Sequence, residues 1–447
     1  MSIFFRTIGL LAICCLLMLP VQGAEQGSGE HVEQARTFIE QLDRGEASKA
    51  ALEFDAVMAK ALSAERLQAL WEALEQQHGP FQKIQSTRVE IEAPYEIVLV
   101  SCQFEKNRVM ARVVYAQNNL ISGLFFKPDG EYQRPGYVDP RKFTEEPLVI
   151  GKGLWELPGT LSLPVGEGPF PAVILVHGSG PQDRNETVGP NQPFKDLAQG
   201  LTSRGIAVLR YDKRTYHHRL KMALLSQRIT VREETVEDAA LAVQRLAGDP
   251  RIDPRRIVVL GHSLGGYLLP RIAAESKDVA GLISLAGSVR PLEDLILDQT
   301  QYLVQLDGKV TSEEQAQLDA LAVQVERVRS MELSESVSAV DLPLSVPASY
   351  WLDLQGYQPA QAARTLSQPL LILQGERDYQ VTMEDFRLWK EALAERKDVR
   401  LRSYPGLNHL LMAGEGKSLP TEYLVPGHVS EKVIQDIADW VKTLRPL

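Results

Sequence analysis

Three features of the sequence predict an α/β fold: a mostly parallel, doubly wound sheet with an inserted helical cap, preceded by a small α+β domain. Short apolar runs at residues 172–176, 206–209, 257–260, 282–285 and 370–373 alternate with helix-like segments at 194–204, 235–247, 264–275, 384–395 and 430–444. Runs of that kind suit strands buried on both faces of a parallel sheet, with the helices as crossovers. One interval, about eighty residues between Ala286 and Pro369, is far longer than a crossover needs and predicts a cap over roughly 288–367. The third feature lies ahead of residue 130, where helical spacing comes first and four β-like runs follow.

In the predicted small domain, residues 25–130, Val32, Ala35, Phe38, Ile39 and Leu42 recur at helical spacing, and Leu67, Leu70, Trp71 and Leu74 do so again after Ser63, a capping residue. Gly79 and Pro80 stop the helices. Phe81–Glu92, Tyr95–Phe104, 109–115 and 120–127 then read as a four-stranded meander. The stretch 131–150 is rich in Pro, Gly and charge with little periodicity, and reads as a linker to a larger domain at 151–447.

The first residues differ from the rest. Arg6 precedes an apolar run at 8–19, and Pro20, Val21, Gln22 and Gly23 form a small-residue exit. That pattern predicts a signal peptide cleaved near residue 23, hence an exported protein, periplasmic or extracellular, with no membrane span left after cleavage. Cys14 and Cys15 would leave with it, stranding Cys102, which reads as a buried small hydrophobe.

A chain of 447 residues with 44% hydrophobic and 24% charged residues has globular composition and room for one or two domains. Its net charge of −10 argues against a nucleic-acid binder, which would need a basic face. The chemistry is carried by Gly261, His262, Ser263, Leu264 and Gly265, a G-x-S-x-G pattern directly after a strand and before a helix. A serine on so sharp a turn projects its hydroxyl above the sheet, and the Leu264 N–H at the helix start faces a developing oxyanion.

Serine needs a base to take its proton and an acid to orient that base. Asp378 follows the run 370–373, and His409 follows a β-like run at 400–404, so both fall on loops at the carboxyl ends of strands. The order Ser263, Asp378, His409 suits this arrangement, with Glu376 the nearest rival for the acid. His31, His78, His177, His217, His218, His262 and His428 are less well placed and read as structural or surface residues. The second oxyanion donor is expected after the run 172–176, at the Ser179 N–H with Gly178 as the neighbour that could replace it. Tyr350, Trp351 and Leu352 form an aromatic patch in the cap, which either faces substrate or is the cap's own core.

These motifs resemble the α/β-hydrolase family, and the phrases at 177–186 and 206–214 resemble its EstD-type bacterial serine esterases. The resemblance covers residues 151–447, and the small domain is similar to a helix-plus-meander module of unassigned function that precedes such hydrolases. It implies carboxylester hydrolysis through an acyl-enzyme, with Ser263, Asp378 and His409 in the triad positions. Asp183, Arg184, Asp212 and Arg214 also match, and read as ion pairs that fix loops, because no step of acyl transfer needs them.

The expected partner is a small-molecule ester, with short acyl chains favoured by the cap aromatics. A peptidase or an acyl thioesterase would use the same triad, and a non-catalytic envelope-binding protein is the remaining alternative. No metal or organic cofactor is expected: there is no zinc-like spacing of His and Cys and no glycine loop followed by lysine to cradle phosphate.

Overall fold

The computed structural model describes residues 29–446 apart from 93, 130–131, 226–227, 277 and 307. The predicted signal segment, with Cys14 and Cys15, lies outside the described residues. Two compact units are present, one of the described residues up to 133 with the short stretches 189–191 and 423–426, the other of 134–188, 192–422 and 427–446.

In the smaller unit, strands β1 (Phe81–Glu92), β2 (Tyr95–Phe104), β3 (Arg108–Tyr115) and β4 (Ile121–Pro128) form an antiparallel sheet in sequence order. Helices Gly29–Asp43 and Ala64–His78 bring Phe38, Ile39, Leu42, Leu67 and Trp71 into one core with Val98, Val100, Cys102 and Ala111 of the sheet. Ser63 caps the second helix by accepting from the Arg66 N–H, and Gly79 ends it at φ 79°. Cys102 is fully buried in that core, and burial pushes its thiol up to about 12, so it has no reactive thiolate at neutral pH.

The larger unit holds eight strands in the order β12-β11-β10-β9-β7-β8-β6-β5. They are β5 (Phe143–Ile150), β6 (Leu157–Pro164), β7 (Phe170–Val176), β8 (Ala207–Tyr211), β9 (Ile252–His262), β10 (Gly281–Leu285), β11 (Leu370–Gly375) and β12 (Val399–Tyr404). The pairs from β8 through β12 are parallel, while β5–β6 and β6–β8 are antiparallel. Apolar residues of β7 to β11 face two separate cores, one on each side of the sheet, which is why the sequence shows them as continuous apolar runs.

Part of the stretch read as a linker is instead strand β5. Its charged and proline-containing sequence suits an edge strand, since Glu145 and Pro147 sit where the sheet ends and no further partner needs a backbone N–H. The insertion carries helices Leu292–Val304, Ser312–Arg329, Ala348–Leu354 and Pro359–Arg364. The second of these starts in a reciprocal cap, Thr311 bonding the Glu314 N–H while the Glu314 carboxylate returns to the Thr311 N–H. Among the described residues no helix is long and apolar enough to cross a membrane.

Candidate active site

Strands β7 and β9 are neighbours in the sheet, while β8, which comes between them in the chain, lies on the far side of β7, so the sheet grows one way from β7 to β8 and the other way from β9 onward. The crevice at such a switch point, beyond the carboxyl ends of the strands, is where ligands meet open α/β sheets. Gly178 follows β7 and Ser263 follows β9, both at that crevice. They touch so closely that a Cβ on Gly178 would lie 3.1 Å from the Ser263 Cβ.

Ser263 adopts φ 52° and ψ −116°, a left-handed conformation costly for a residue with a side chain. The turn is over-determined around it. The Ser263 N–H donates to the Leu285 carbonyl at 2.9 Å, and its own carbonyl accepts the Tyr267 N–H at 3.0 Å. Both motif glycines are required by packing: a Cβ on Gly265 would sit 2.5 Å from the Val176 carbonyl oxygen, and one on Gly261 would collide with the Gly265 backbone. Leu264 begins the helical turn Leu264–Tyr267, which leaves its N–H at a helix start.

The His409 Nδ1 lies 2.7 Å from the Asp378 Oδ2, and both side chains are buried. Asp378 is held by further donors: Gln380 and Val381 N–H on Oδ1 at 2.8 and 3.0 Å, and the Gln374 amide on Oδ2 at 3.0 Å. With its other acceptor sites occupied, the carboxylate is aimed at one imidazole nitrogen, fixing the proton on Nδ1 and leaving Nε2 as the acceptor. Asn408 shapes the His409 loop by accepting the Leu410 and Met412 N–H groups at 3.1 Å each. The rival acid Glu376 is exposed and accepts from the Ser403 hydroxyl at 2.7 Å.

His262, next to the serine, connects the three loops. Its Nε2 reaches the His409 carbonyl at 3.1 Å, and its Nδ1 lies 2.9 Å from the Glu186 Oε2. Burial by itself would hold this ring neutral, but the Glu186 carboxylate and the His409 carbonyl outweigh it and raise its pKa. Burial pushes the Glu186 carboxyl up, but its interaction with His262, aided by His177 and the Gly178 N–H, outweighs burial and lowers its pKa.

Of the two expected oxyanion donors on the β7 loop, Gly178 is excluded: its N–H is already donated to Glu186 Oε1 at 2.7 Å. Ser179 is exposed at the loop and remains the candidate beside Leu264. Of the two readings of the cap's aromatic patch, the structure supports burial over a substrate-facing surface. Trp351 is fully buried in the cap's own core with Ile296, Val328, Leu333 and Leu342, and donates its indole N–H to the Val346 carbonyl at 3.2 Å. Leu352 packs against the same cluster, and the buried Tyr350 donates its hydroxyl to Glu234 at 2.6 Å.

Asp183, Arg184, Asp212 and Arg214 do fix loops. Arg184 grips Asp212 with two parallel bonds at 2.9 and 2.8 Å, Asp183 accepts the Asn185 and Thr187 N–H groups, and Arg214 pairs with the buried Asp238. Among the described residues no group of three or more His, Cys, Asp or Glu side chains is placed to hold a metal ion. Four residues were not assigned from the sequence: Glu186, His262 in its pairing role, Lys213 and Glu234. Two lie inside the phrases 177–186 and 206–214, so the signal was present without its partners.

His177 precedes Gly178 and is fully buried, its Nε2–H donating to the Asp183 carbonyl at 2.9 Å. Burial, opposed by Glu186, pushes its pKa down to about 4. Stability supplied by the neutral ring is therefore fully present above about 6.5, the unfolded value, and is lost as pH falls toward about 4. Between pH 7.5 and 5 this ring accounts for about 2 kcal/mol of lost stability. Chemical denaturation of wild type and His177→Gln at both pH values is expected to show a shallower acid loss in the variant, and equal losses would contradict it.

The strand order, the reversal between β7 and β9, and three loops meeting there define the class as an α/β-hydrolase. The chain belongs to that family, matching the family described as serine aminopeptidase, S33, over residues 169–416. It is 39% identical over 416 residues to esterase EstD of Thermotoga maritima, covering 92% of this chain and 96% of that protein. A monoacylglycerol lipase of Mycolicibacterium smegmatis is 27% identical over 278 residues, 61% of this chain and 88% of that one. A solved esterase structure from Pyrococcus furiosus aligns with a TM-score of 0.44 at 17% identity, over 71% of this chain and 99% of that one. Residues 35–124 match a family described as a protein of unknown function, DUF3887.

Proposed function

We propose that the protein hydrolyses carboxylic esters through an acyl-enzyme on Ser263. The observation that carries this reading is the buried 2.7 Å pair of His409 and Asp378, on loops beside a serine held at positive φ. His409 takes the Ser263 proton as the oxygen attacks the acyl carbon, and the oxyanion rests on the Leu264 and Ser179 N–H groups. The alcohol departs with the proton from His409, and water then repeats the cycle to release the acid.

The similarity to an esterase over most of both chains supports ester substrates. The family description as an aminopeptidase supports the rival, a peptidase on the same triad. A panel of p-nitrophenyl esters of increasing chain length, beside an aminoacyl anilide and an acyl thioester, separates these. The expected result is a higher kcat/KM on an ester than on the anilide or the thioester, and a far higher value on the anilide would overturn the ester reading. Export follows from residues 6–23 as a further part of the proposal, and the mature N-terminus, read by mass spectrometry, is expected near Ala24.

A further inference from the structure

Lys213 and Glu186 are each only 2% exposed, and neither takes part in the proton relay. They converge on one residue of the β7 loop. Glu186 accepts the Gly178 N–H, and the Lys213 ammonium donates to the Gly178 carbonyl, each at 2.7 Å. That carbonyl and the Ser179 N–H belong to a single peptide unit, whose planarity points them in opposite directions. Holding the carbonyl on Lys213 therefore sets the direction of the Ser179 N–H. A cation on the carbonyl also polarises the peptide and strengthens its N–H as a donor.

Lys213 is itself fixed from behind. Its ammonium donates to Glu234 Oε1 at 2.6 Å, and Glu234 Oε2 accepts the Tyr350 hydroxyl at 2.6 Å. Tyr350 lies on the cap helix Ala348–Leu354, whereas Glu234 lies on the turn Arg232–Val236 that leads into the helix Glu237–Ala247. One buried chain of bonds thus runs from the cap to the peptide that carries the oxyanion donor.

We infer that Lys213 is a positioning residue for the oxyanion hole and that Tyr350 and Glu234 couple it to the cap. The inference rests on the reading of Ser263 as nucleophile and of Ser179 as oxyanion donor. It assigns the cap a part in transition-state stabilisation that requires no contact between cap and substrate. It also gives Tyr350 a role other than lining the acyl pocket.

The test replaces both charges together, as Lys213→Met with Glu234→Gln, so that no buried charge is left unpaired. kcat and KM on a p-nitrophenyl ester are measured beside the affinity for a trifluoromethyl ketone, which forms the tetrahedral oxyanion, and for the product carboxylate. The expected result is a fall in kcat on the order of 10²-fold with KM nearly unchanged, and a matching loss of ketone affinity with the carboxylate unaffected. A folded double variant that retains wild-type kcat and ketone affinity would overturn the proposal. Tyr350→Phe, which removes one hydroxyl, is the second variant. A kcat loss on the order of tenfold at constant KM supports the cap link, and unchanged kcat refutes it. Fluorophosphonate labelling of the wild type on a serine other than Ser263 would instead sink the nucleophile reading and this proposal with it.

Discussion

Ser263→Ala is expected to lower kcat/KM on an activated ester by at least about 10⁴-fold, because nucleophile and base act as a unit and the remaining oxyanion donors supply only residual catalysis. The fold should be untouched. The turn around Ser263 is held by backbone bonds to Leu285 and Tyr267 and by the close packing of Gly261 and Gly265, none of which uses the hydroxyl. Alanine meets the same strain at φ 52° as serine does. A melting temperature equal to that of the wild type, measured beside the kinetics, separates loss of chemistry from loss of structure, and retained turnover would place the nucleophile elsewhere.

Asp378→Asn is expected to cost about 10⁴-fold in kcat, and His409→Ala at least as much. The asparagine carbonyl can keep the Gln380 and Val381 N–H bonds, which fixes the amide NH₂ on the side of Gln374 and His409. A donor then faces His409 Nδ1, and the ring answers by moving its proton to Nε2, where it can no longer accept from serine. Glu376→Gln should leave the rate near wild type, since that carboxylate is exposed and bonds Ser403. Kinetics on the three variants check the assignment. Full activity in Asp378→Asn with loss in Glu376→Gln would move the acid two residues.

How much of this was legible in the sequence depended on burial. Strands β7 to β11 stood out because both faces are apolar, and the meander of the smaller unit because polar turns separate its strands. Strand β5 was missed because an edge position tolerates Glu145, Glu146 and Pro147, which read as loop. Strand β6 was passed over as well, framed by Pro158 and Pro164 and broken by Gly159.

The site divided in the same way. Ser263, Asp378 and His409 each follow a recognisable strand, so position alone proposed them. Glu186, Lys213 and Glu234 did not announce themselves, because a lone charged residue reads as surface until its partner is known. Here the partners lie far apart in sequence: His262 for Glu186, the Gly178 carbonyl for Lys213 and Tyr350 for Glu234. The aromatic pair in the cap shows the converse, since a patch that could face a substrate in sequence is packed and bonded inward in space.

The central claim is that Ser263 carries the covalent intermediate. Incubating the wild-type protein with a fluorophosphonate, digesting it and locating the adduct by mass spectrometry tests this directly, since only an activated serine is phosphonylated rapidly. The account predicts a single adduct on the peptide containing Gly261 to Gly265, at Ser263, with no labelling of Ser263→Ala and strongly slowed labelling of His409→Ala. An adduct on any other serine, or labelling of His409→Ala at the wild-type rate, would contradict it.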